Sequence, residues 1–119
     1  MKKLLIALLC AFNYSVFSQD TVKVASLHTP DQQAELDYNS GLEKLKNNDY
    51  TSAIDFFTKS ITNKPTFDKA LYNRCIALTQ AKRYVEACSD INAVIKLTPQ
   101  NPDAYFTKSL IFFNEGKKD

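Results

Sequence analysis

Side chains that commonly carry out chemistry are sparse in this chain. It has three cysteines, Cys10, Cys75 and Cys88, and one histidine, His28. Cysteine and histidine are the usual ligands of zinc, but His28 lies far in sequence from the two later cysteines. The two glycines, Gly41 and Gly116, are too far apart for a phosphate-binding loop. We therefore expect no metal and no other cofactor.

Carboxylates are more numerous, and their positions favour solvated helix faces and turns over a catalytic pair. The ones considered are Asp49, Asp55, Glu86 and Asp90. Because the only histidine precedes the patterned part of the chain, a Ser/His/Asp arrangement on ordered elements is not expected either. The sequence thus predicts that the protein is not an enzyme. The question becomes which elements the chain builds and what surface they present.

The first 18 residues have the features of a signal peptide. Lys2 and Lys3 give a positive start, residues 4–11 are apolar, and a plausible cleavage site lies before Gln19. The apolar run is shorter than the roughly 20 residues that span a membrane. The alternative is a buried N-terminal helix or strand. We expect an exported protein, periplasmic or secreted, with residues 1–18 removed and no membrane span in the mature chain.

Removal of the signal peptide changes the charge of the chain. The whole sequence has 15 Lys and Arg against 13 Asp and Glu. Lys2 and Lys3 leave with the signal peptide, so the mature chain has 13 residues of each sign. No basic run is longer than Lys117-Lys118. A nucleic-acid partner is therefore not expected, since it would require a basic patch that follows the phosphate backbone.

The rest of the chain divides into a leader and a repeated unit. Residues 19–30 show no helical period and are predicted to form a flexible leader, and residues 31–119 form the repeat domain. Residues 34–67 align with residues 68–101 at an offset of 34, and a partial third unit covers residues 102–119. The aligned residues are Tyr38/Tyr72/Phe106, Asn39/Asn73, Leu42/Ile76/Leu110, Tyr50/Tyr84, Ala53/Ala87, Phe57/Ile91, Ile61/Ile95 and Pro65/Pro99. A fixed period of this length indicates an array of helical repeats.

Each complete unit is predicted to contain two helices. The predicted spans are residues 32–47, 50–62, 67–81, 84–97 and 102–115. Thr29 and Gln32 form a capping-box pattern before the first helix, and Asn101 is the expected cap of the last. Pro65 and Pro99 end the second helix of each unit, because proline cannot continue a helix.

These columns resemble the tetratricopeptide repeat (TPR), whose pattern includes Leu-Gly, Tyr, Ala-x3-Phe and Pro. The matching residues are Gly41, Ala53, Phe57 and Pro65 in the first unit, Leu71, Ala87, Ile91 and Pro99 in the second, and Tyr105 and Phe112 in the third. The resemblance covers residues 34–119. It implies an all-α fold, in which antiparallel helix–turn–helix repeats stack as a short right-handed solenoid of about two and a half repeats and five helices. It also explains the small side chains at Gly41 and Ala53, where the two helices of a unit are expected to cross closely.

The resemblance further implies a binding role, because repeats of this family bind partners on a concave side lined by the first helix of each unit. By that register the candidate partner-binding residues are Tyr38, Leu42, Tyr72, Asn73, Ile76, Phe106, Leu110 and Phe113. Most of them form an apolar stripe, since residues four apart share one helical face. An exposed stripe of this kind marks a groove for a helix or an extended peptide. We expect a protein or peptide partner.

Three alternatives to a partner in this groove stay open. The stripe could be buried in a homodimer, the leader could cover it, or the chain could be the N-terminal fragment of a longer TPR protein. Asn39 and Asn73 could bond either a ligand or a neighbouring helix. The carboxylate-binding clamp found in part of the family is not expected, because only Asn73 fits it. The other clamp positions hold Tyr38, Leu42, Asp103 and Thr107.

Cys75 and Cys88 lie on the two predicted helices of the second unit. Export would expose them to oxidising conditions, and a disulfide requires Cα atoms within about 7 Å. Cys88 is one position beyond Ala87, the residue expected to face Cys75. The sequence leaves open both a Cys75–Cys88 disulfide and a pair of buried thiols. Cys10 is expected to leave with the signal peptide, and the residue before it, Leu9, is larger than lipid attachment requires.

Overall fold

The computed structural model describes residues 27–117, which form five α-helices. In chain order these are α1 (Pro30–Lys46), α2 (Tyr50–Asn63), α3 (Asp68–Gln80), α4 (Tyr84–Leu97) and α5 (Pro102–Gly116). Every boundary lies within two residues of its predicted position. The predicted signal peptide and residues 19–26 of the predicted leader lie outside the described residues.

Local hydrogen bonds define where three of the helices begin. Asp49 caps α2 by accepting the N–H of Ser52 at 3.2 Å. The Gln32 N–H donates to Thr29 Oγ1 at 3.2 Å, and the Thr29 N–H donates to Gln32 Oε1 at 3.0 Å, which completes the predicted capping box. Asn101 caps α5 by accepting the N–H of Asp103 at 3.0 Å. Thr29 and Pro30, placed in the leader by the sequence analysis, therefore belong structurally to the start of α1.

The two turns inside the repeats share an unusual backbone conformation. Asn48 between α1 and α2 has φ 59°, and Lys82 between α3 and α4 has φ 61°. This left-handed region is sterically unfavourable for side chains other than glycine, although asparagine tolerates it better than lysine. Because the two residues are one repeat apart, the turn is part of the geometry of the unit.

Consecutive helices pack against each other along the whole described chain. The first helices of neighbouring repeats also touch, α1 on α3 and α3 on α5. The most deeply buried large side chains are Phe57, Cys75, Ile91, Val94 and Ile111. The structure is therefore an all-α repeat solenoid whose core runs between the first and second helices of each unit.

Gly41 allows α1 to lie close to α2. A Cβ atom placed on Gly41 would lie only 2.5–3.0 Å from three atoms of the Phe57 ring. A small residue was predicted here, but the nearest neighbour that requires it is Phe57 and not Ala53. Within residues 27–117, no helix combines the length and the hydrophobicity of a membrane span.

Candidate functional site

The predicted apolar stripe runs along α1, α3 and α5, and its exposure differs from one helix to the next. On α1, Tyr38 is half-buried, and its ring centroid lies 4.9 Å from that of Phe67. Tyr72 on α3 is also half-buried against the core. On α5, Phe106 is 66% exposed and Leu110 is 42% exposed. The part of the stripe that is open to a ligand is thus its α5 end.

A cleft of about 250 Å³ lies between α3 and α5, where the stripe is most exposed. Tyr72 and Ile76 line it from α3, and Phe106 and Leu110 line it from α5. The other lining residues are Thr79, Gln80, Thr107, Ile111 and Asn114. We call this cleft the groove. It combines apolar walls with a few polar groups, as binding sites for peptides and small ligands usually do.

The groove contains four of the eight residues predicted to bind a partner. Tyr38 and Leu42 instead pack against the hydrophobic core on the α1 side. Asn73 lies outside the groove, and Phe113 is exposed beside Lys117, whose Nζ lies 4.3 Å from the ring centroid. Gln80 and Asn114 were not predicted. Each follows a groove residue, Ile76 or Leu110, by four positions, so extending the i, i+4 face by one turn would have found them.

Two hydrogen bonds of the same kind join the first helices of neighbouring repeats. Asn73 Nδ2 donates to Tyr38 Oη at 3.2 Å, and Tyr72 Oη lies 3.0 Å from Thr107 Oγ1. Asn73 Nδ2 also donates to the Lys69 carbonyl at 2.9 Å. Asn73 therefore bonds a neighbouring helix, which was the second of its two predicted roles, whereas Asn39 in the same column is exposed.

The phenol of Tyr38 stays protonated in this arrangement. Burial raises the pKa of Tyr38 above its ordinary value, and the negative charges of Glu35 and Asp68 raise it further. The hydrogen bond from Asn73 lowers the pKa, but its effect is smaller than those of burial and the two carboxylates. Tyr38 is therefore uncharged at neutral pH, and its oxygen accepts the Asn73 amide.

A polar hollow of about 300 Å³ adjoins the groove, with Tyr72 lining both. Its other lining residues are Asp68, Lys69, Asn73, Val94, Asn101 and Asp103. Two carboxylates against one amine give this hollow a net negative charge. It therefore suits a cationic side chain of a ligand and opposes a carboxylate.

A cleft of about 430 Å³ lies among α2, α3 and α4, and its charged groups largely bond one another. Arg74 donates two hydrogen bonds to Asp90, at 2.8 and 2.7 Å. Arg83 pairs with Glu86 at 2.6 Å. Asp90 was predicted to lie on a solvated face, and this prediction is wrong, since Asp90 is only 4% exposed. Its partner lies on another helix, so a local pattern could not reveal it.

Cys75 and Cys88, the two cysteines among the described residues, are free thiols. Cys75 is buried at the column that Gly41 holds in the first unit, and burial raises its pKa to about 12. Burial also raises the pKa of Cys88, which is half-buried. Thiols with raised pKa values are poor nucleophiles at neutral pH. Among residues 27–117, no group of three potential metal ligands comes together.

No protein-family model matches the chain. A similar protein is the protein O-mannosyl-transferase Tmtc3 of Drosophila melanogaster, which is 26% identical over 91 residues. The aligned part covers 76% of this chain but only 10% of Tmtc3, so the chain spans a small fraction of that relative. Together with the five packed helices, this similarity fits a TPR-like fold. The transferase activity in the relative's name is that of the whole protein.

Proposed function

We propose that this chain is a non-catalytic scaffold that binds a helix or an extended peptide of a partner protein in the groove. The observation that carries the proposal is the groove itself. It brings Tyr72 and Ile76 opposite Phe106 and Leu110, and none of the described elements covers the last two. Exposed apolar surface beside a formed cleft is typical of a binding site for a partner.

The chemistry of the ligand follows from the groove and the polar hollow. A large apolar side chain would fill the groove, and a Lys or Arg nearby would reach Asp68 and Asp103. Covering the exposed surface of Phe106 and Leu110, roughly 200 Å², contributes about 5 kcal/mol before the cost of association. We therefore expect a modest affinity that weakens as salt is added.

Selection of displayed peptides on the full chain tests the groove. We expect enrichment of a large apolar residue near a basic one, and the dissociation constant of a selected peptide should rise at least tenfold in the Phe106→Ala variant. Phe113→Ala is the matched control, because Phe113 is similarly exposed, at 59% against 66% for Phe106, but lies outside the groove. An equal loss in both variants would contradict the groove assignment, and so would unchanged binding by Phe106→Ala.

Self-association is the alternative use of the same surface. A homodimer that buries the groove would be lost in the Phe106→Ala variant, and sedimentation at micromolar concentration detects it. A wild-type monomer that binds peptide favours the scaffold. A dimer that excludes peptide favours self-association.

The non-catalytic role has its own test. Because Tmtc3 is named a protein O-mannosyl-transferase, an assay of mannosyl transfer to protein hydroxyl groups should give no product with this chain. Measurable transfer would replace the scaffold proposal.

We also propose that the protein acts after export and removal of residues 1–18. This proposal is supported by the positive start and the apolar run of those residues, which are features of a signal peptide. Fractionation of expressing cells and mass spectrometry should find a mature chain that begins at Gln19, outside the cytoplasm. An intact chain retained in the cytoplasm would refute export.

A further inference from the structure

Helix α5 presents a second exposed face, distinct from the groove. Tyr105 is 47% exposed and Phe112 is 54% exposed, and Ser109 lies between them and is also exposed. Lys108 lies on the same side of the helix, half-buried. None of these four residues lines the groove. We call this set the outer face of α5.

The repeat offset of 34 relates the outer face of α5 to a face of α3. Thirty-four positions earlier, α3 carries Leu71, Arg74, Cys75 and Leu78. In α3 the three uncharged residues of this set are buried, and α4 packs against that helix. The outer face of α5 thus repeats a helix-covered face, with a large apolar residue at each end, a small residue between them and a cation beside them.

Lys108 indicates which charge should be carried by a helix that covers the outer face of α5. On α3, Arg74 pairs with Asp90 of the covering helix α4 at 2.7 Å. Lys108 holds the same column on α5 and makes no salt bridge with any residue that the structure describes. Charge complementarity therefore requires a carboxylate on the covering helix, one turn from the residue that meets Ser109.

We propose that the outer face of α5 binds an amphipathic helix of a partner protein that carries the pattern small-x-x-Asp-aliphatic. In α4 this pattern is Ala87, Asp90 and Ile91. Asp90 pairs with Arg74, and Ala87 and Ile91 belong to the same buried cluster as Leu71, Cys75 and Leu78. The site goes beyond the proposed function, because it uses a different surface and selects an acidic helix where the polar hollow selects a basic side chain.

A second copy of the chain is a poor source of this helix. Its own α4 has the pattern, but Ala87, Asp90 and Ile91 are buried in their own repeat. In α2 the position three residues after Ala53 is Phe56, so that helix offers no carboxylate there. We therefore assign the covering helix to a partner protein, and its carboxylate opposite Lys108 is the feature that the experiment tests.

A synthetic peptide with the sequence of residues 84–97, carrying Cys88→Ser to prevent disulfide formation, is the probe. Its binding to the full chain is measured by fluorescence anisotropy. We expect saturable binding that weakens at least tenfold in the Lys108→Glu chain. A peptide that also carries Asp90→Lys should bind the Lys108→Glu chain and not the wild type. Phe106→Ala, in the groove, should leave the affinity for this peptide unchanged, so the two sites are tested separately.

Several results would overturn the proposal. Failure of the Asp90→Lys peptide to restore binding to the Lys108→Glu chain would show that the two charges do not meet. A dimer of the unliganded chain that dissociates in a Phe112→Glu variant would assign the face to a second copy. No saturable binding up to about 0.1 mM peptide by a monomeric, folded chain would exclude a helix of this pattern. It would leave the face to another segment of the same polypeptide or to no partner at all.

Discussion

Arg74 on α3 donates two parallel hydrogen bonds to Asp90 on α4, from Nε to Oδ2 at 2.8 Å and from Nη2 to Oδ1 at 2.7 Å. Arg74 Nη1 also donates to Thr58 Oγ1 on α2 at 3.2 Å. One guanidinium group therefore joins three helices and two repeats. The hydrogen bond from Arg74 to Asp90 raises the pKa of the guanidinium further, so Arg74 stays charged at every accessible pH.

Replacing Asp90 with asparagine should lower the free energy of unfolding by about 2 kcal/mol, because it leaves the Arg74 charge without its partner. The effect is smaller than for a fully buried pair, since the Arg74 side chain keeps 21% of its surface exposed. Urea unfolding followed by circular dichroism measures it, and an Arg74→Met background should remove most of it. Glu86→Gln, in the exposed pair with Arg83, should have no measurable effect. Equal effects of the two variants would contradict the structural role of Asp90.

Gly41→Ala should destabilise the protein by about 2 kcal/mol, although alanine is the better helix former. The added Cβ would overlap the Phe57 ring, which is fully buried and has little room to move. Gly116→Ala is the matched control, since a Cβ there meets nothing within 4 Å. Thermal unfolding should separate the two variants clearly. A stable Gly41→Ala protein would mean that α1 and α2 are less closely packed than described.

Lys82→Asn should stabilise the protein by about 1 kcal/mol, because asparagine adopts the left-handed conformation at lower cost than lysine. The rise in melting temperature for a domain of this size would be about 4–8 °C. The reverse exchange, Asn48→Lys, should destabilise it, and by somewhat more, because Asn48 Oδ1 also accepts the Tyr50 hydroxyl at 3.0 Å. If Lys82→Asn lowers the melting temperature, the φ of 61° at that turn is not the native conformation.

Cys75 should resist alkylation in the folded protein until the pH approaches 12, the pKa to which burial raises it. Only the thiolate reacts, and below that pH the folded state holds the thiol protonated. Cys88, which is half-buried, should be labelled earlier in a pH series read by mass spectrometry. The same experiment decides the pairing left open by the sequence. If Cys75 and Cys88 are both labelled after unfolding without reductant, there is no disulfide between them. If neither is labelled, the disulfide is established.

The helices could be predicted because their signals are local. Thr29 and Gln32 lie within one turn of each other and cap α1 as expected, and Pro65 and Pro99 follow the ends of α2 and α4. The offset of 34 then related the units to one another without any knowledge of the structure. Patterns of this kind depend only on residues that are close in sequence, so the helix boundaries can be predicted from the sequence alone.

The depth of each stripe residue could not be predicted in the same way. The register placed Tyr38 and Phe106 in one column, yet Tyr38 packs on Phe67 while Phe106 faces solvent. Helical spacing states which residues share a face, but burial depends on which helices cover that face. The Asp90 error has the same origin, because Arg74 is 16 residues away on a different helix.

The hydrogen bonds between Asn73 and Tyr38 and between Tyr72 and Thr107 also bear on how the proposed ligand would bind. They brace the first helices before any ligand arrives, so the groove walls lose little conformational freedom when they are covered. Filling such a preformed apolar groove gives a negative change in heat capacity, and near room temperature the binding is frequently driven by enthalpy. Calorimetry over a range of temperatures should therefore show binding that becomes more exothermic on warming.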